Sequence, residues 1–440
     1  MKLWNKDATK YSEAVEAFTV GRDREFDLMM ARHDVEGSIA HVTMLGEVGL
    51  MTAQEAAAAI KGLQDIRREI TEGRFHIEEG VEDVHSQVEL LLTRQIGDIG
   101  KKIHSGRSRN DQVAVDIKLF LKERMAAIRT EAHGLFHTLL DKGWAHREVG
   151  LPGYTHLQVA MPSSVGLWLG AYAESLVDDL TMLSAAYTVT DKNPLGSGAG
   201  YGSSFPLNRK RTTELLGFTT LNWNAAYAQM SRGKTERLVA MALACLGSTL
   251  ARLSMDACLY LGQDLGFLVF PPSLTTGSSL MPHKKNPDVF EMIRGKCNRI
   301  QSIPNELALL SANLPSGYHR EMQLTKEILF PAFDELADSL RMAGMMIQAM
   351  EVRADILAAE KYRYIFSVEA VNQLVNQGIP FREAYRKVGN EIEAGHFQFD
   401  TAKPLGHTHE GSIGNLCYAE IRAEMDNVMA SFPGLTTNPS

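Results

Sequence analysis

The sequence predicts an all-α protein organised around a bundle of long helices. Three stretches, 113–139, 176–187 and 239–260, carry apolar residues at steps of three and four over many turns. The first continues without a strong helix breaker to about Ala145, which makes it roughly 50 Å long at 1.5 Å per residue. Helices of this length are typical of bundles and coiled coils. Helical patterns over 286–310 and 333–350 bring the expected number of long helices to five.

The composition is that of a globular protein. The chain has 440 residues, of which 45% are hydrophobic and 22% charged, enough for a large core in two or three domains. Its net charge of -8 disfavours a general nucleic-acid partner, because a phosphate backbone rewards a basic surface. If the protein binds an anion, a local cluster of residues must therefore supply the positive charge.

Cysteine spacing and hydropathy argue against a secreted, zinc-binding or membrane protein. The four cysteines form no C-x-x-C pair, so we expect reduced thiols rather than a zinc site or a disulfide framework. The first fifteen residues lack a signal-peptide pattern, and the apolar run between Arg237 and Arg252 is too short for a membrane span. We expect a cytoplasmic protein without a membrane partner.

The chain opens with shorter helices. Apolar residues at helical steps predict a helix from Arg22 to about Leu45, and Thr52 with Glu55 matches a capping box that starts the next one. Asp83 then opens a helix. The polar triplet of Asp83, His85 and Ser86 is either a plain N-terminal cap or part of a site.

Residues 101–109 place five Lys, Arg or His side chains in nine positions of an acidic protein. A turn at Gly106 that feeds a helix N-terminus at Ser108 would hold a small anion through side chains, backbone N–H groups and the helix dipole. The alternative is a solvated basic turn. Further along, His133 and His137 have a spacing that suits a metal, but no third ligand is apparent, so we expect no metal.

Two irregular stretches interrupt the long helices. Residues 151–162 form a polar cluster between prolines that contains Thr155 and His156, and we expect a loop there. Residues 195–204 are rich in glycine but do not match G-x-G-x-x-G and follow no strand pattern. We expect a tight turn near a site rather than a nucleotide loop.

Residues 275–287 concentrate hydroxyl, ammonium and amide groups. Gly277 and two prolines prevent a continuous helix before Asn286, while Ser278, Lys284 and Asn286 offer donors that a carboxylate can accept. The helix that follows has a candidate kink at Pro304. Beyond it, Tyr318, Gln323 and Lys326 are spaced so that they could share one side of the chain.

Five segments together resemble the argininosuccinate lyase and δ-crystallin family of the fumarase/aspartase superfamily. They are the strings GSSLMPHKKNP, HSGRSRNDQ, GYTHLQ and GIPFREAYRKVG, and the spacing of Tyr318, Gln323 and Lys326. The resemblance implies three domains, 1–107, 108–354 and 355–440, and a central five-helix bundle. It also implies a homotetramer whose bundles form a twenty-helix core, with each site shared by three subunits.

The implied reaction is the reversible β-elimination of argininosuccinate to arginine and fumarate through an aci-carboxylate intermediate, in arginine biosynthesis, without a cofactor. The resemblance makes Ser278 the base, with Lys284 and Asn286 at the carboxylate. His156 is the acid, paired with Glu291. The substrate-binding positions that it implies are Asn110, Thr155, Tyr318, Gln323 and Lys326, and with weaker matches Arg107, Ser108, Asp83, His85 and Ser86.

Three departures from the family pattern concern substrate contacts. Glycine stands at Gly21 where the family usually has serine, Met161 replaces a common glutamine, and the 196–202 loop differs. One alternative is another fumarate-releasing lyase, such as adenylosuccinate lyase, which needs a nucleotide pocket. The other is a non-catalytic δ-crystallin-like protein, a role that places no chemical demand on Ser278 or His156.

Overall fold

The computed structural model describes residues 13–401 and 405–434, and helices dominate this part of the chain. The α-helices are α1 (Glu13–Val20), α2 (Asp23–Glu47), α3 (Ala53–Thr71), α4 (Val84–Ile96), α5 (Arg109–Ala145), α6 (Val165–Thr190), α7 (Arg209–Leu215), α8 (Ala225–Met230), α9 (Lys234–Leu261), α10 (Asp288–Ile300), α11 (Ile303–Leu310), α12 (Leu324–Ala349), α13 (Ser367–Asn376), α14 (Phe381–Glu393) and α15 (Tyr418–Ala430).

The strands in the described part of the chain are short and form four two-stranded sheets. They are β1 (Gly150–Thr155), β2 (Gln158–Ser164), β3 (Lys192–Asn193), β4 (Thr220–Leu221), β5 (Leu268–Val269), β6 (Thr276–Gly277), β7 (Lys285–Asn286) and β8 (Glu351–Val352). The pairs are β1 with β2, β3 with β4, β5 with β8 and β6 with β7. The predicted all-α class is confirmed.

The long helices form one bundle around the largest hydrophobic core. α5 packs on α6 and α12, while α9 packs on α6, α10, α11 and α12. α5 has 37 residues and is therefore roughly 55 Å long. Stacked aromatic rings fill the α5–α12 contact, where the centroids of Phe120 and Phe330 lie 4.0 Å apart.

Two predicted helix bounds in the bundle are wrong. The expected helix over 286–310 is divided into α10 and α11 at Gln301 and Ser302. Pro304 lies in the first turn of α11, where its missing N–H leaves no hydrogen bond unmade, so it starts a helix instead of kinking one. α12 begins at Leu324, ahead of the predicted start, and continues through Pro331.

Capping side chains start the helices that lead to the site. In the confirmed capping box of α3, Thr52 Oγ1 accepts from the Glu55 N–H at 3.2 Å, and Glu55 Oε2 accepts from the Thr52 N–H at 3.0 Å. Asp83 caps α4, and Ser108 with Asp111 forms a second capping box at α5. Such caps are each worth about 0.5–2 kcal/mol of stability, so they fix where α4 and α5 begin.

Residues 150–164 form a β-hairpin rather than the expected loop. Thr155 pairs with Gln158, which leaves His156 and Leu157 as a two-residue turn with φ values of 55° and 58°. Two positive φ values are the signature of a type I′ turn, whose twist matches the flanking strands. The prolines that suggested a loop, Pro152 and Pro162, lie opposite each other in the ladder.

Smaller clusters flank the bundle. Helices α2, α3 and α4 enclose an apolar cluster that includes Val35, Leu63 and Leu92. A C-terminal cluster joins α13 and α14 through Val371, Ala384 and Val388, while α15 returns to pack on α6 in the main core. The domain bounds at 107/108 and 354/355 stay a prediction.

Helix α9 is long and apolar enough, by length and composition, to cross a membrane. It is longer than the apolar run that the sequence suggested, because it extends from Lys234 to Leu261. Leu243, Leu246 and Leu250 on this helix are fully buried in the bundle. A central core helix accounts for its composition. The four cysteines are free thiols, and Cys297 is buried.

Candidate active site

A cavity of about 400 Å³ lies where α2, α4, α5 and the start of α12 meet. Six of the predicted substrate-binding residues line it, together with eight others. The predicted ones are Asp83, His85, Asn110, Tyr318, Gln323 and Lys326, and the others are Val20, Asp23, Asp27, Glu82, Arg109, Val113, Arg232 and Arg320. The expectation that Tyr318, Gln323 and Lys326 share one side is confirmed.

The α4 end of the cavity is an ordered polar network. Arg109 Nη1 lies 2.7 Å from Asp83 Oδ2, and Arg109 Nη2 donates to Ser86 Oγ at 2.7 Å. Ser108 caps α5, and the buried Arg107 donates from Nη1 to Ser38 Oγ at 2.9 Å. Ser86, Arg107 and Ser108 thus support the cavity from outside its lining.

Lys326 is held by two aspartates of α2. Its Nζ lies 2.7 Å from Asp23 Oδ1 and also donates to Asp27 Oδ1, and the side chain is almost completely buried. Burial lowers the pKa of Lys326, but the charges of Asp27 and Asp23 outweigh it and the net pKa is raised. The lysine is therefore a fixed cation at the cavity wall.

The sequence interpretation missed Asp23 and Asp27. They lie four residues apart on α2, and Asp34 follows seven residues later, so the three carboxylates share one face of the helix. This spacing of aspartates is visible in the sequence and could have indicated them. Gly21, where the family usually has a serine, lies between α1 and α2 with φ 51°. The cavity is lined by its neighbours Val20 and Asp23 and not by Gly21 itself.

The 275–287 segment forms its own small hairpin. β6 pairs with β7 through Thr276 with Asn286 and Gly277 with Lys285. Within the turn, Ser278 Oγ accepts hydrogen bonds from the backbone N–H groups of Leu280 at 3.2 Å and Met281 at 3.0 Å. Two such donors stabilise negative charge on this oxygen.

The remaining predicted residues lie at two exposed places. Lys284 and Glu291 are exposed on the loop and on α10, and Asn286 Nδ2 lies 3.4 Å from Thr276 Oγ1. Thr155 and His156 are exposed at the β1–β2 turn. Within the described residues, neither group reaches the cavity lining. The described chain therefore brings only part of the predicted site together at the cavity.

The glycine-rich 196–202 turn is anchored to the start of α5. Asp111 Oδ2 accepts from the N–H groups of Gly196 at 2.8 Å and Gly198 at 2.9 Å, while Oδ1 accepts from Ser108 N–H at 2.8 Å. Burial raises the pKa of Asp111 to about 6 despite these three donors. The predicted tight turn is confirmed.

Comparisons with known proteins agree with this geometry. A family profile described as "Lyase" matches residues 8–302. The argininosuccinate lyase of Bacteroides fragilis strain ATCC 25285 is 57% identical over 98% of this chain and 96% of its own length. That of Stenotrophomonas maltophilia K279a is 35% identical over 96% and 98%. The chain belongs to the argininosuccinate lyase family.

Solved structures show the same fold at lower identity. An EDDS lyase in complex with formate matches with a TM-score of 0.73 and 23% identity, over 97% of this chain and 91% of that one. The class II fumarase from Schistosoma mansoni matches with a TM-score of 0.72 and 18% identity, over 98% and 97%. The protein is an enzyme of the lyase class with the all-α fold of the fumarase/aspartase superfamily.

Proposed function

We propose that this lyase catalyses the reversible elimination of argininosuccinate to arginine and fumarate, as a step of arginine biosynthesis in the cytoplasm. The observation that carries the proposal is the cavity, in which six predicted substrate positions from three separate stretches of the chain meet. Near-complete coverage of the Bacteroides fragilis argininosuccinate lyase at 57% identity supports it.

The cavity charges fit a substrate with both signs of charge. Argininosuccinate carries three carboxylates, an amino group and a guanidino group. The lining supplies cations at Arg109, Arg320 and Lys326 and carboxylates at Glu82 and Asp83. Arginine side chains bind carboxylates through paired N–H donors, and carboxylates accept from guanidino and amino groups in the same way.

The elimination removes a proton from the carbon next to a carboxylate. This proton is weakly acidic, so the site needs a base and donors that stabilise the doubly charged intermediate. We assign Ser278 as the base, because two backbone N–H groups stabilise negative charge on its Oγ. Lys284 and Asn286 of the same loop would hold the carboxylate, and closure of the loop would exclude water.

The departing guanidino nitrogen takes up a proton as the carbon–nitrogen bond breaks. We assign His156 as the acid that supplies this proton, because an imidazole can serve as a general acid and its position matches the family's candidate. Glu291 would orient the ring and stabilise its charged form. The turn that carries His156 places a residue other than glycine at positive φ, and such strain clusters at functional sites.

The Ser278 loop and the His156 turn do not contribute to the cavity lining within the described residues, so we propose that the active unit is a homotetramer with a twenty-helix core and sites shared by three subunits. The cavity set would come from one subunit, the Ser278 loop from a second and the His156 turn from a third. Tetramer assembly would then be a condition of activity.

Incubation of the purified protein with argininosuccinate tests the proposal. We expect fumarate and arginine in equal amounts. Ser278→Ala should lower kcat by roughly 10²–10⁴, the usual contribution of a general base. Ser273→Ala, a matched change of an exposed serine just before the loop, should match the wild type. Release of fumarate from adenylosuccinate but not from argininosuccinate would contradict the proposal, and no turnover of either would favour a structural role.

Subunit mixing tests the shared site separately. His156→Asn is the suitable acid variant, because asparagine tolerates the positive φ of this turn better than most residues. Inactive Ser278→Ala and His156→Asn tetramers should regain partial activity after subunit exchange, since some mixed sites contain both native residues. Exchange shown by mass spectrometry without recovered activity would contradict sharing.

A further inference from the structure

A buried cluster of Asp34, His85 and Asp116 lies behind the cavity. The three residues come from α2, α4 and α5, and both aspartates are 0% exposed. His85 Nδ1 lies 2.8 Å from Asp34 Oδ1 and 3.5 Å from Asp116 Oδ2. Gln112 Nε2 also donates to Asp34 Oδ1, at 2.6 Å. The cluster joins the three helices that meet at the cavity.

Three carboxylate oxygens of this cluster lack a hydrogen-bond partner among the described residues, namely Asp34 Oδ2 and both oxygens of Asp116. Buried carboxylates without donors need a nearby positive charge. The geometry would also suit a metal ion, because one ligand atom of each residue lies within 4.8 Å of the others.

The charges around His85 favour a proton over a metal ion. Arg107 is buried close enough to act on both Asp34 and Asp116, and burial and the charge of Asp34 raise the pKa of Asp116, so an imidazolium and a guanidinium face mainly the charge of Asp34. A divalent cation with a neutral His85 would leave an excess of positive charge. Asp83 and Asp23 also lie near His85, but each already has a cation of its own in Arg109 and Lys326, and His104 is a further titratable neighbour.

His85 has one ring nitrogen that Asp34 does not engage. Nδ1 is engaged by Asp34, which leaves Nε2 as the nitrogen on the opposite side of the ring. His85 also lines the cavity, with Asn110 and Lys326. We propose that Asp34 and Asp116 are positioning residues that keep His85 as an imidazolium and direct its Nε2–H at a carboxylate of the bound substrate. The identity of the ligand as a substrate carboxylate rests on the proposed function, whereas the protonation of His85 does not.

The pKa shifts in the cluster agree with this geometry and indicate which of the two aspartates does more to keep His85 charged. Burial lowers the pKa of His85, but Asp34 and the other carboxylates outweigh it and raise the pKa to about 9. Burial raises the pKa of Asp34, yet His85 and Arg107 bring it below its ordinary value. Burial and the charge of Asp34 raise the pKa of Asp116. Asp34 is therefore the principal counter-ion, and its loss should have the larger effect.

Histidine ¹⁵N NMR and fumarate binding test the proposal on the full-length protein. We expect imidazolium signals from His85 at pH 8 in ligand-free wild type, assigned by their loss in His85→Gln. Asp34→Asn should give neutral imidazole signals at pH 8 and weaken fumarate binding about tenfold, the equivalent of one lost charge contact near 1.4 kcal/mol. Asp116→Asn should have a smaller effect. Asp179→Asn, a buried carboxylate on α6, should behave as the wild type.

The pH profile adds a readout that a structural role would not change. Wild-type fumarate affinity should stay constant from pH 7 to 8 and weaken as pH rises through about 9. His85→Gln should lose this dependence, and it keeps the proposal testable if the aspartate variants do not fold. In argininosuccinate turnover, Asp34→Asn should raise KM more than it lowers kcat.

Several outcomes would overturn the inference. They are neutral His85 signals in the wild type, an unchanged pH profile in His85→Gln, or stoichiometric metal in the wild type that Asp34→Asn loses. If the wild type does not turn over argininosuccinate, the proposed function fails, while the ligand-free NMR signals still decide the protonation.

Discussion

Buried histidines in this chain have opposite titration behaviour because their neighbours differ. His85 faces carboxylates and has a pKa raised to about 9. His41 lies on α2. Burial and then the charge of Arg107 lower its pKa to about 3, although its hydrogen bond to Ser105 O acts in the opposite direction. Burial likewise lowers the pKa of His33 and His104 to about 4. The protein therefore folds with neutral and charged histidines side by side.

The neutral His41 should make the protein sensitive to acid. The unfolded chain binds a proton at His41 below about pH 6.5, whereas the folded chain does so only near pH 3. The stability from neutral His41 is fully present above pH 6.5 and is lost as pH falls toward 3. We expect the free energy of unfolding, from urea titrations, to fall between pH 7 and 4.5, and to fall less in His41→Gln. The exposed His76→Gln should keep the wild-type slope, and equal slopes in all three would contradict the prediction.

Single residues were predicted best where a motif fixed their type and spacing. Asn110, Tyr318, Gln323 and Lys326 could be selected from sequence, and the fold brings them to one cavity. Asp34 and Asp116 could not, because their shared partner His85 is 51 and 31 residues away in the chain and only helix packing joins the three. A buried polar contact between residues of different helices leaves no recognisable spacing in the sequence.

At the scale of elements, one carboxylate joins the start of α5 to the glycine-rich turn. Gly196, Gly198 and Gly202 have φ values of 83°, 61° and 77°, which only glycine adopts at low cost. The turn has little regular secondary structure of its own, so Asp111 supplies acceptors for two of its N–H groups. The position of the turn thus depends on a side chain of α5.

Asp111→Asn should detach this turn. An amide offers one oxygen where the carboxylate offers two, so an NH₂ group would face a backbone N–H of Ser108 or of Gly196 and Gly198. An unsatisfied buried donor costs about 1–3 kcal/mol, and we expect a loss of this size in the free energy of unfolding, with faster amide exchange over 196–202. Asp98→Asn, an exposed change, should stay within about 0.5 kcal/mol of the wild type. Unchanged exchange in Asp111→Asn would contradict the anchoring role.

The errors in element prediction occur where the local sequence does not decide the structure. Prolines argue against strands, yet Pro152 and Pro162 face each other in a short ladder that has, among the described residues, no third strand to hydrogen-bond. The α10–α11 break occurs at Gln301 and Ser302, residues that do not oppose a helix. Tertiary packing decides both cases, whereas the capping boxes at Thr52 and Ser108 are local and were predictable.

At the scale of the whole molecule, the bundle leaves one apolar stripe uncovered. On α9, Met241, Met255 and Leu259 are 38%, 43% and 39% exposed, although the opposite face of the helix is fully buried. The polar Ser248 and Arg252 lie between them on the same face of the helix. Exposed apolar residues repeated along one face of a long central helix are typical of a protein interface. A second copy of the chain would cover it in the proposed tetramer.

Met255→Glu should therefore disrupt assembly and activity together. A glutamate at this position adds a charge that must lose its water on assembly, and Arg294, whose Nη1 lies 2.9 Å from Met255 Sδ, offsets only part of that cost. We therefore expect light scattering to show smaller species and kcat for argininosuccinate to fall with the tetramer fraction. The fold of each subunit should persist, because Met255 is exposed on the isolated bundle, and circular dichroism should be unchanged. Gln64→Glu adds the same charge at an exposed position of α3 and should leave both assembly and kcat intact. A fully tetrameric Met255→Glu protein would exclude the α9 stripe from the interface, whereas an active monomer would exclude the shared site, since one subunit alone does not bring Ser278 and His156 to the cavity lining.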